Sequence, residues 1–353
     1  MKILKYILPV LFISAMVASC DTDDEAVEVQ NPYTVSPQYY QNLRDYKATD
    51  HSIAWGWFSD YTTSYSMATR FLGLPDSLDI CSLWGGIPTN DSTLADGHYV
   101  PDVYKEMKFV QQTKGTKMVV PTIVRIRTFP EFYDSVWVAK SNPDSAMQLL
   151  ANHLLAQIFV TGVDGIDLDY EPEGDPLSGS NMDYFVKYLG KFVGPAASDS
   201  NKVVAKLGKI RWVNKKTAAG KDSLVKETYY EDYTIVGDPT KLLCIDYYSA
   251  APSANTLPYT NWYVNQTYGG SPGGKPFSSC PASLVVYTEN VGDNWKAAEC
   301  GKLLTYARYK PATGRKGGFG AFFMHRDYIN AGYGCLNYAN MRHGIQIQNP
   351  AIH

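Results

Sequence analysis

The sequence has few cysteines and places no two of them in a Cys-x-x-Cys pair, so the spacing that marks a zinc site is missing. The six are Cys20, Cys81, Cys244, Cys280, Cys300 and Cys335. With Cys20 set aside the remainder is odd, so at least one thiol is unpaired unless it bridges another chain. Cys81 and Cys244 lie in apolar runs and read as buried thiols; Cys280 and Cys300 remain open to a disulfide or to free thiols. An excess of positive charge is also missing. Lys and Arg total 32 against 35 Asp and Glu. Setting aside Lys2 and Lys5 and the acids Asp21, Asp23, Asp24, Glu25 and Glu28 leaves 30 of each sign. A nucleic-acid binder carries a basic excess, and this chain has none. No internal repeat or low-complexity block is visible. What the chain does have is bulk: 353 residues, 45% of them hydrophobic, with 27 Tyr and 7 Trp. That suffices for one large core plus accessory pieces. Rings with a polar handle suit carbohydrate faces as well as ordinary packing.

The first residues read as an address. Lys2 and Lys5 precede the apolar run 7–17, which is shorter than the ~20 residues a helix needs to cross a bilayer. The run ends Val17-Ala18-Ser19-Cys20, small residues directly before a cysteine. This resembles the lipobox of bacterial lipoproteins, which implies removal of residues 1–19 and lipidation of Cys20; the alternative is an ordinary signal peptide with an incidental cysteine. The acids that follow resemble the surface-export signal of lipoproteins in Bacteroides-like bacteria, although a solvated linker explains them too. The expected location is the bacterial outer membrane, at the cell surface, with membrane contact through the Cys20 lipid.

Residues 20–50 read as a tether ending in a lead-in helix at 38–46. Beyond them, short apolar runs alternate with helical stretches, which argues for βαβ units on a parallel sheet. Eight strands are expected, at 53–58, 78–83, 118–126, 165–171, 242–248, 262–268, 284–289 and 318–324. Eight parallel strands with intervening helices have the rhythm of a TIM (β/α)8 barrel in one α/β domain, 51–353. Asn142-Pro143 is a capping side chain before a first-turn proline, and Leu150, Leu154 and Ile158 follow at helical spacing. A second helix starts near Asn181 and carries Phe185, Leu189 and Phe192. Residues 195–241 exceed what a barrel loop needs; 202–213 and 227–236 read as an inserted hairpin or lid.

The run Asp164-Gly-Ile-Asp-Leu-Asp-Tyr-Glu171 carries the chemistry. Alternate residues of a strand share a face, so Asp167, Asp169 and Glu171 point one way and Ile166, Leu168 and Tyr170 the other. The acids then step towards the C-terminal mouth of the barrel at ~6.6 Å per pair. Crowded carboxylates cannot all ionise, and the one nearest the mouth suits a carboxylic acid held neutral until it donates its proton. A calcium loop also alternates acids, but the position that needs glycine is Pro172 here. Three inward acids in a purely structural strand would cost several kcal/mol.

The pattern D-x-x-D-x-D-x-E resembles the signature of glycoside hydrolase family 18, the chitinases and endo-β-N-acetylglucosaminidases, on its fourth strand. Trp262-Tyr-Val-Asn-Gln266-Thr-Tyr268 resembles the family's sixth strand, Tyr287-Thr-Glu289-Asn290 its seventh, and residues 317–328 its eighth. These segments look most like family 18 surface lipoproteins of gut Bacteroides. The third strand, at 119–125, lacks the S-x-G-G of true chitinases, and the eighth has no tryptophan. Both departures favour an endo-β-N-acetylglucosaminidase acting on the GlcNAc-β1,4-GlcNAc core of N-glycans over a chitinase-type hydrolase. A catalytically dead family 18-like protein that only binds surface glycans is the alternative from another class.

The resemblance implies substrate-assisted retaining hydrolysis with no metal or organic cofactor. Glu171 is the implied acid and base, Asp169 the partner of the substrate's 2-acetamido group, Asp167 the carboxyl behind it, and Tyr268 a hydrogen-bond partner of the same group. Gln266, Asp164, Trp57, Trp84, Glu289, His325 and Arg326 are candidate sugar contacts. Trp57 shares a face with Trp55, and both rings can equally be core; an ion pair of His325 and Arg326 with Asp327 would explain that pair as well. The loops 61–65 and 258–263 offer rings for stacking around an open mouth. The expected partner is a GlcNAc-containing glycan, with no nucleic acid, and the expected state is a monomer. If Cys20 carries the anchor, Cys20→Ala moves the protein from the membrane fraction to the soluble one and abolishes its accessibility to protease on intact cells. Unchanged fractionation would sink the lipobox reading.

Overall fold

The structure is a computed structural model that describes residues 35–61, 69–216, 221–294, 296–328 and 337–350. The chain divides into two units, Met1–Tyr40 and Gln41–His353. Of the first, residues 35–40 are described, and they open the helix Pro37–Lys47.

Eight strands close into a parallel barrel in chain order. They are β1 (Ile53–Phe58), β2 (Ile80–Leu83), β3 (Lys117–Ile123) and β4 (Gly165–Tyr170), then β5 (Leu242–Tyr247), β6 (Trp262–Asn265), β7 (Val285–Asn290) and β8 (Gly318–Phe322). β8 pairs back to β1 with Ile53 opposite Gly318. All eight expected strands are present, and the acidic run is the fourth. Their C-terminal ends fall short of the sequence-based bounds in several cases, because the chain leaves the ladder where the site begins. At the end of β6, for example, Tyr268 takes a left-handed φ of 36°.

Residues alternate between two layers. Inside lie Ile53, Trp55, Trp57, Ile80, Val119, Cys244, Val264 and Val286, all buried. Outside, Ile166, Leu168 and Tyr170 of β4 join the larger core shared with the helices. The lower barrel is therefore apolar and its upper half is polar. At some glycines the neighbouring strand leaves no room for a side chain. A Cβ on Gly165 would sit 2.2 Å from the Leu242 carbonyl oxygen of β5, and one on Gly320 would sit 2.8 Å from the Trp55 Cβ.

The helix feeding β4 runs Pro143–Thr161, and the Asn142 side chain accepts from Ser145 N. It stops at Gly162, whose left-handed φ of 68° lets its N–H return to Ile158 O. The helix after β4 spans Ser180–Leu189 and buries Phe185 and Leu189. Lys202–Lys216 and Asp222–Val236 pair as the two arms of a long antiparallel hairpin. It packs across the helix Pro143–Thr161. Backbone bonds from Ala95 N to Gly208 O (3.0 Å) and Ile210 N to Thr93 O (2.6 Å) pin its middle to the loop after β2. Lys209 adds an ion pair to Asp91 at 2.5 Å, and that hydrogen bond brings the Asp91 carboxyl down to about 2. The hairpin is thus fixed in place by the barrel loops.

Cys81, Cys244 and Cys280 are buried free thiols and Cys300 is an exposed one. The disulfide left open for Cys280 with Cys300 does not form, and Cys335 lies outside the described residues. Because Gly165 meets backbone rather than a movable side chain, Gly165→Ala forces β4 and β5 apart. The expected loss is about 1–3 kcal/mol, as for other overpacked core positions, read as a lower denaturant midpoint; an unchanged midpoint would refute the close-packed register.

Candidate active site

Asp167, Asp169 and Glu171 rise along the inner face of β4 in order of increasing contact with solvent. Asp167 is fully buried and Asp169 nearly so, while the Glu171 side chain is 27% exposed. The deepest, Asp167, accepts at one oxygen from Trp57 Nε1 of β1 (2.9 Å) and Ser82 Oγ of β2 (2.8 Å). A fourth acid completes the group. Asp246 of β5 stands opposite Asp169 in the ladder and hydrogen-bonds carboxyl to carboxyl with both Asp167 and Asp169. Gln266 donates to Asp246 Oδ1 at 2.5 Å and to Asp169 Oδ1 at 3.3 Å.

Such contacts between acids require shared protons. Burial pushes Asp167 up to about 7 and Asp169 up to about 6, with the neighbouring negative charges adding to the shift and the hydrogen bonds opposing it. Asp246, also buried, is raised well above the carboxylate range by desolvation first and then by Asp167 and Asp169. The three titrate as one unit.

Glu171 follows the last ladder residue and is held from the loop after β3. Arg125 Nε donates to the Glu171 carbonyl (2.7 Å), and its guanidinium lies 3.6 Å from Glu171 Oε2 and 2.9 Å from Glu173 Oε1. Asp175, buried in the same loop, accepts from Ile126 N and Arg127 N at 3.1 and 3.0 Å. The loops after β3 and β4 are thereby clasped together around the acid. Tyr268 is half-buried just beyond β6, its N–H on Thr288 O at 3.0 Å. Burial raises its phenol well above the ordinary value, and Asp246, Asp169 and Glu171 add to the shift. Its ring stacks on the exposed Tyr248 (6.1 Å) and leans on Phe322 (6.2 Å). Phe322 of β8 also meets Trp57 (6.0 Å) and Trp84 (5.2 Å) edge to face. An aromatic rim therefore surrounds the mouth above the acids.

Several sequence expectations are corrected by these positions. Asp164 lies at the opposite end of the strand from Glu171, where it accepts from Met118 N (2.9 Å) and Gln111 Nε2 (2.6 Å) and pairs with Lys117 (3.2 Å). Its carboxylate fixes the start of β4 and meets no sugar. Glu289 faces the helix ring, because it alternates with the inward Thr288; its oxygens accept from Asn290 N and Lys302 N, ahead of the helix Leu303–Arg308. His325 is buried against Phe323 and pairs with Asp60 at 3.2 Å rather than with Asp327. Asp327 instead holds Asn340 Nδ2 and Met341 N. Arg326 is exposed on the loop after β8. Trp57 is a buried donor to Asp167, Trp84 is part of the rim, and the Gln266 amide nitrogen is taken up by carboxyls. Tyr61 is buried with its hydroxyl on Gly86 O (2.7 Å), and residues 62–65 lie outside the described residues. Of the second loop, Tyr263 is buried, and Tyr259 lies over Gly190 on the barrel flank.

The sequence reading missed Asp246, Ser82, Arg125 and Phe322. Alternation through Cys244-Ile-Asp246 would have placed Asp246 inside, had β5 been read for its inward face. No comparable signal marks Arg125, which acts from a loop. Among the described residues no group of three or more His, Cys, Asp and Glu is arranged to hold a metal ion.

A parallel barrel with an acid at its C-terminal mouth above buried, proton-sharing carboxyls has the layout of a glycoside hydrolase. The chain belongs to glycoside hydrolase family 18, with residues 17–347 matching the BT1044-like group. It is 24% identical over 338 residues to endo-beta-N-acetylglucosaminidase F2 of Elizabethkingia meningoseptica, covering 86% of this chain and 82% of that protein. A mutant endo-beta-N-acetylglucosaminidase of Cordyceps militaris, solved in complex with fucosyl-N-acetylglucosamine-Asn, superposes with a TM-score of 0.60 at 19% identity, covering 90% of this chain and 97% of that one. A variant of BT1044 gives a TM-score of 0.61 at 19% identity over 89% of this chain and 93% of that chain. These structures share the fold.

The carboxyl cluster has a consequence for stability. Its folded-state affinities for protons exceed the ordinary unfolded value of ~3.9, so its contribution is complete below about pH 4 and is lost as pH rises through about 7. Asp246→Asn supplies a neutral donor in place of one acid. Its melting temperature should rise relative to that of the unsubstituted protein as pH goes from 4 to 8. A difference that stays constant or shrinks across that range would contradict the shared-proton account.

Proposed function

We propose that this protein is an endo-β-N-acetylglucosaminidase that hydrolyses the GlcNAc-β1,4-GlcNAc link in the core of N-glycans with retention of configuration. The observation that carries the proposal is the graded column on β4, in which Glu171 alone reaches solvent while Asp167 and Asp169 are buried and share protons. The Elizabethkingia and Cordyceps relatives are endo-beta-N-acetylglucosaminidases, which supports the same reading.

In this mechanism Glu171 gives its proton to the glycosidic oxygen as the C1–O bond breaks. The carbonyl oxygen of the substrate's own 2-acetamido group bonds to C1 and forms an oxazolinium ion. Asp169 accepts the acetamido N–H and balances the positive charge that develops. Asp167 and Asp246 tune that role, since a proton held by either lets Asp169 carry the negative charge. Tyr268 lies against the same carboxyls and binds the acetamido group, and Gln266 positions Asp169 and Asp246. A water molecule then attacks C1, its proton passes to the Glu171 carboxylate, and the acetamido group is released. Phe322 and Trp84 give the sugar apolar faces to rest on. Cys20, once lipidated, would hold this open-mouthed enzyme at the cell surface, where large glycoproteins can reach it.

Glu171→Gln keeps the shape of the side chain and removes its proton. Turnover should fall by about 10²–10⁴-fold, the usual worth of a general acid, while glycan binding to the variant persists in calorimetry. A variant retaining a tenth of the rate would refute the role of Glu171. In a parallel digest, mass spectrometry of an N-glycoprotein should show one GlcNAc left on the protein, released faster than chitotetraose is cleaved. Faster cleavage of chitotetraose would make the enzyme a chitinase, and binding without cleavage of either would make it a glycan-binding protein.

A further inference from the structure

β2 and β3 run side by side only as far as Ser82 opposite Val119. Above that rung β3 continues to Ile123, paired with β4 alone, and Ile123 stands opposite Asp169. The chain after β2 turns away through Trp84 and Gly86. The two edges therefore part at the mouth. A cavity of about 330 Å³ lies between them, lined by Trp84, Ile87, Pro121 and Ile123 and reaching Phe129 and Asp96 at its outer end. A second cavity, of about 680 Å³, is lined by Phe129 and Asp96 as well. Its far wall is the hairpin. The volumes are those of ligand sites rather than packing gaps.

The hairpin wall is built around a bare position. Gly208 stands opposite Tyr230 in the ladder, with Lys206 opposite Asp232 on one side and Ile210 opposite Thr228 on the other. Tyr230 is 63% exposed, and no side chain at 208 covers it. Across the cavity lie Phe129 and Phe132, their rings 6.2 Å apart, and the polar Asn152 and His153 of the helix Pro143–Thr161. Charge in the lining is balanced: Lys206 and Lys226 face Asp96 and Glu131, and Lys206 is already paired with Asp232 at 3.1 Å. Flat rings, hydroxyl and amide groups and no net charge suit a neutral saccharide. An anionic polymer or an acidic peptide would meet Asp96 and Glu131 beside those lysines, with no excess of positive charge to hold it.

We infer that this groove binds the distal arm of the same glycan whose core is cut at Glu171, along a path from Trp84 past Ile123 and Phe129 to Tyr230. The inference rests on the proposed activity. Adjacency to the mouth selects the occupant, since the two cavities meet at Phe129 and Asp96 and the inner one is lined by Trp84 of the aromatic rim. The hairpin is then a second recognition surface, and its backbone bonds to the loop after β2 keep that surface at a fixed distance from the acid.

The test uses two glycoasparagine substrates, one carrying only the trimannosyl core and one carrying neutral extended antennae. The unsubstituted enzyme should prefer the extended substrate. Tyr230→Ala removes a ring from an exposed position, and Thr228→Trp, also exposed, fills the groove beside it. For each variant the ratio of kcat/KM, extended over core, should fall by about two- to tenfold, the worth of one aromatic contact, through a higher KM for the extended substrate. Cleavage of both substrates with a ratio unchanged in both variants would overturn the inference and leave the proposed activity standing. Cleavage of neither by the unsubstituted enzyme would overturn the activity and the inference together.

Discussion

Three carboxyl groups packed out of water inside a barrel are the constraint around which the rest of this structure is arranged. An ionised carboxylate in such a place costs several kcal/mol unless it is paired, and among the described residues no Lys or Arg forms an ion pair with Asp167, Asp169 or Asp246, Arg125 acting on Asp169 only through its field. The alternative is to share protons and to collect neutral donors, and the fold does both. Trp57 comes from β1, Ser82 from β2, Asp246 from β5 and Gln266 from the residue directly after β6, so three strands besides β4 and the end of a fourth converge on one point. Each donor must be inward-facing at the right height, which fixes the register of the barrel's upper half. The lower half, filled by Trp55, Val119, Cys244, Val264 and Val286, supplies the dry floor that makes the sharing necessary.

Glu171 escapes that constraint because it lies one step beyond the ladder. The chain leaves β4 there, and Arg125 and Asp175 tie the exit to the loop after β3. The acid is consequently held by loops while its neighbours are held by strands. That division matches the work proposed for it: the buried carboxyls keep their protons among themselves, and Glu171 exchanges its proton with substrate and water. The aromatic rim and the parted edges of β2 and β3 then set what can approach it.

Much of this could be read along the chain. The alternation of Ile166, Leu168 and Tyr170 with three acids determined the two faces of β4, since a strand has no other way to place them. Asn142-Pro143 determined where the preceding helix starts, because a capping side chain and a missing N–H act within four residues. The rhythm of eight apolar runs determined the barrel. The hairpin was legible for the same reason, as an excess of chain between a helix and a strand.

The side-chain partners drawn from a second element were the part the sequence did not give away. Asp164 and Glu289 belong to acidic segments that suggest sugar contacts, yet Asp164 is taken up by Met118 N and the side chains of Gln111 and Lys117, and Glu289 by Asn290 N and Lys302 N. His325 took Asp60, far away in sequence, in place of the adjacent Asp327. Asp246 entered the site although its own strand carries no other acid, and the groove at Tyr230 exists because the hairpin folds back beside the loop after β3. A sequence states which side of its own strand or helix a residue occupies, since that depends on local backbone geometry. Which partner satisfies a charge once it is buried depends on the distances between strands, and those are settled only when the barrel closes.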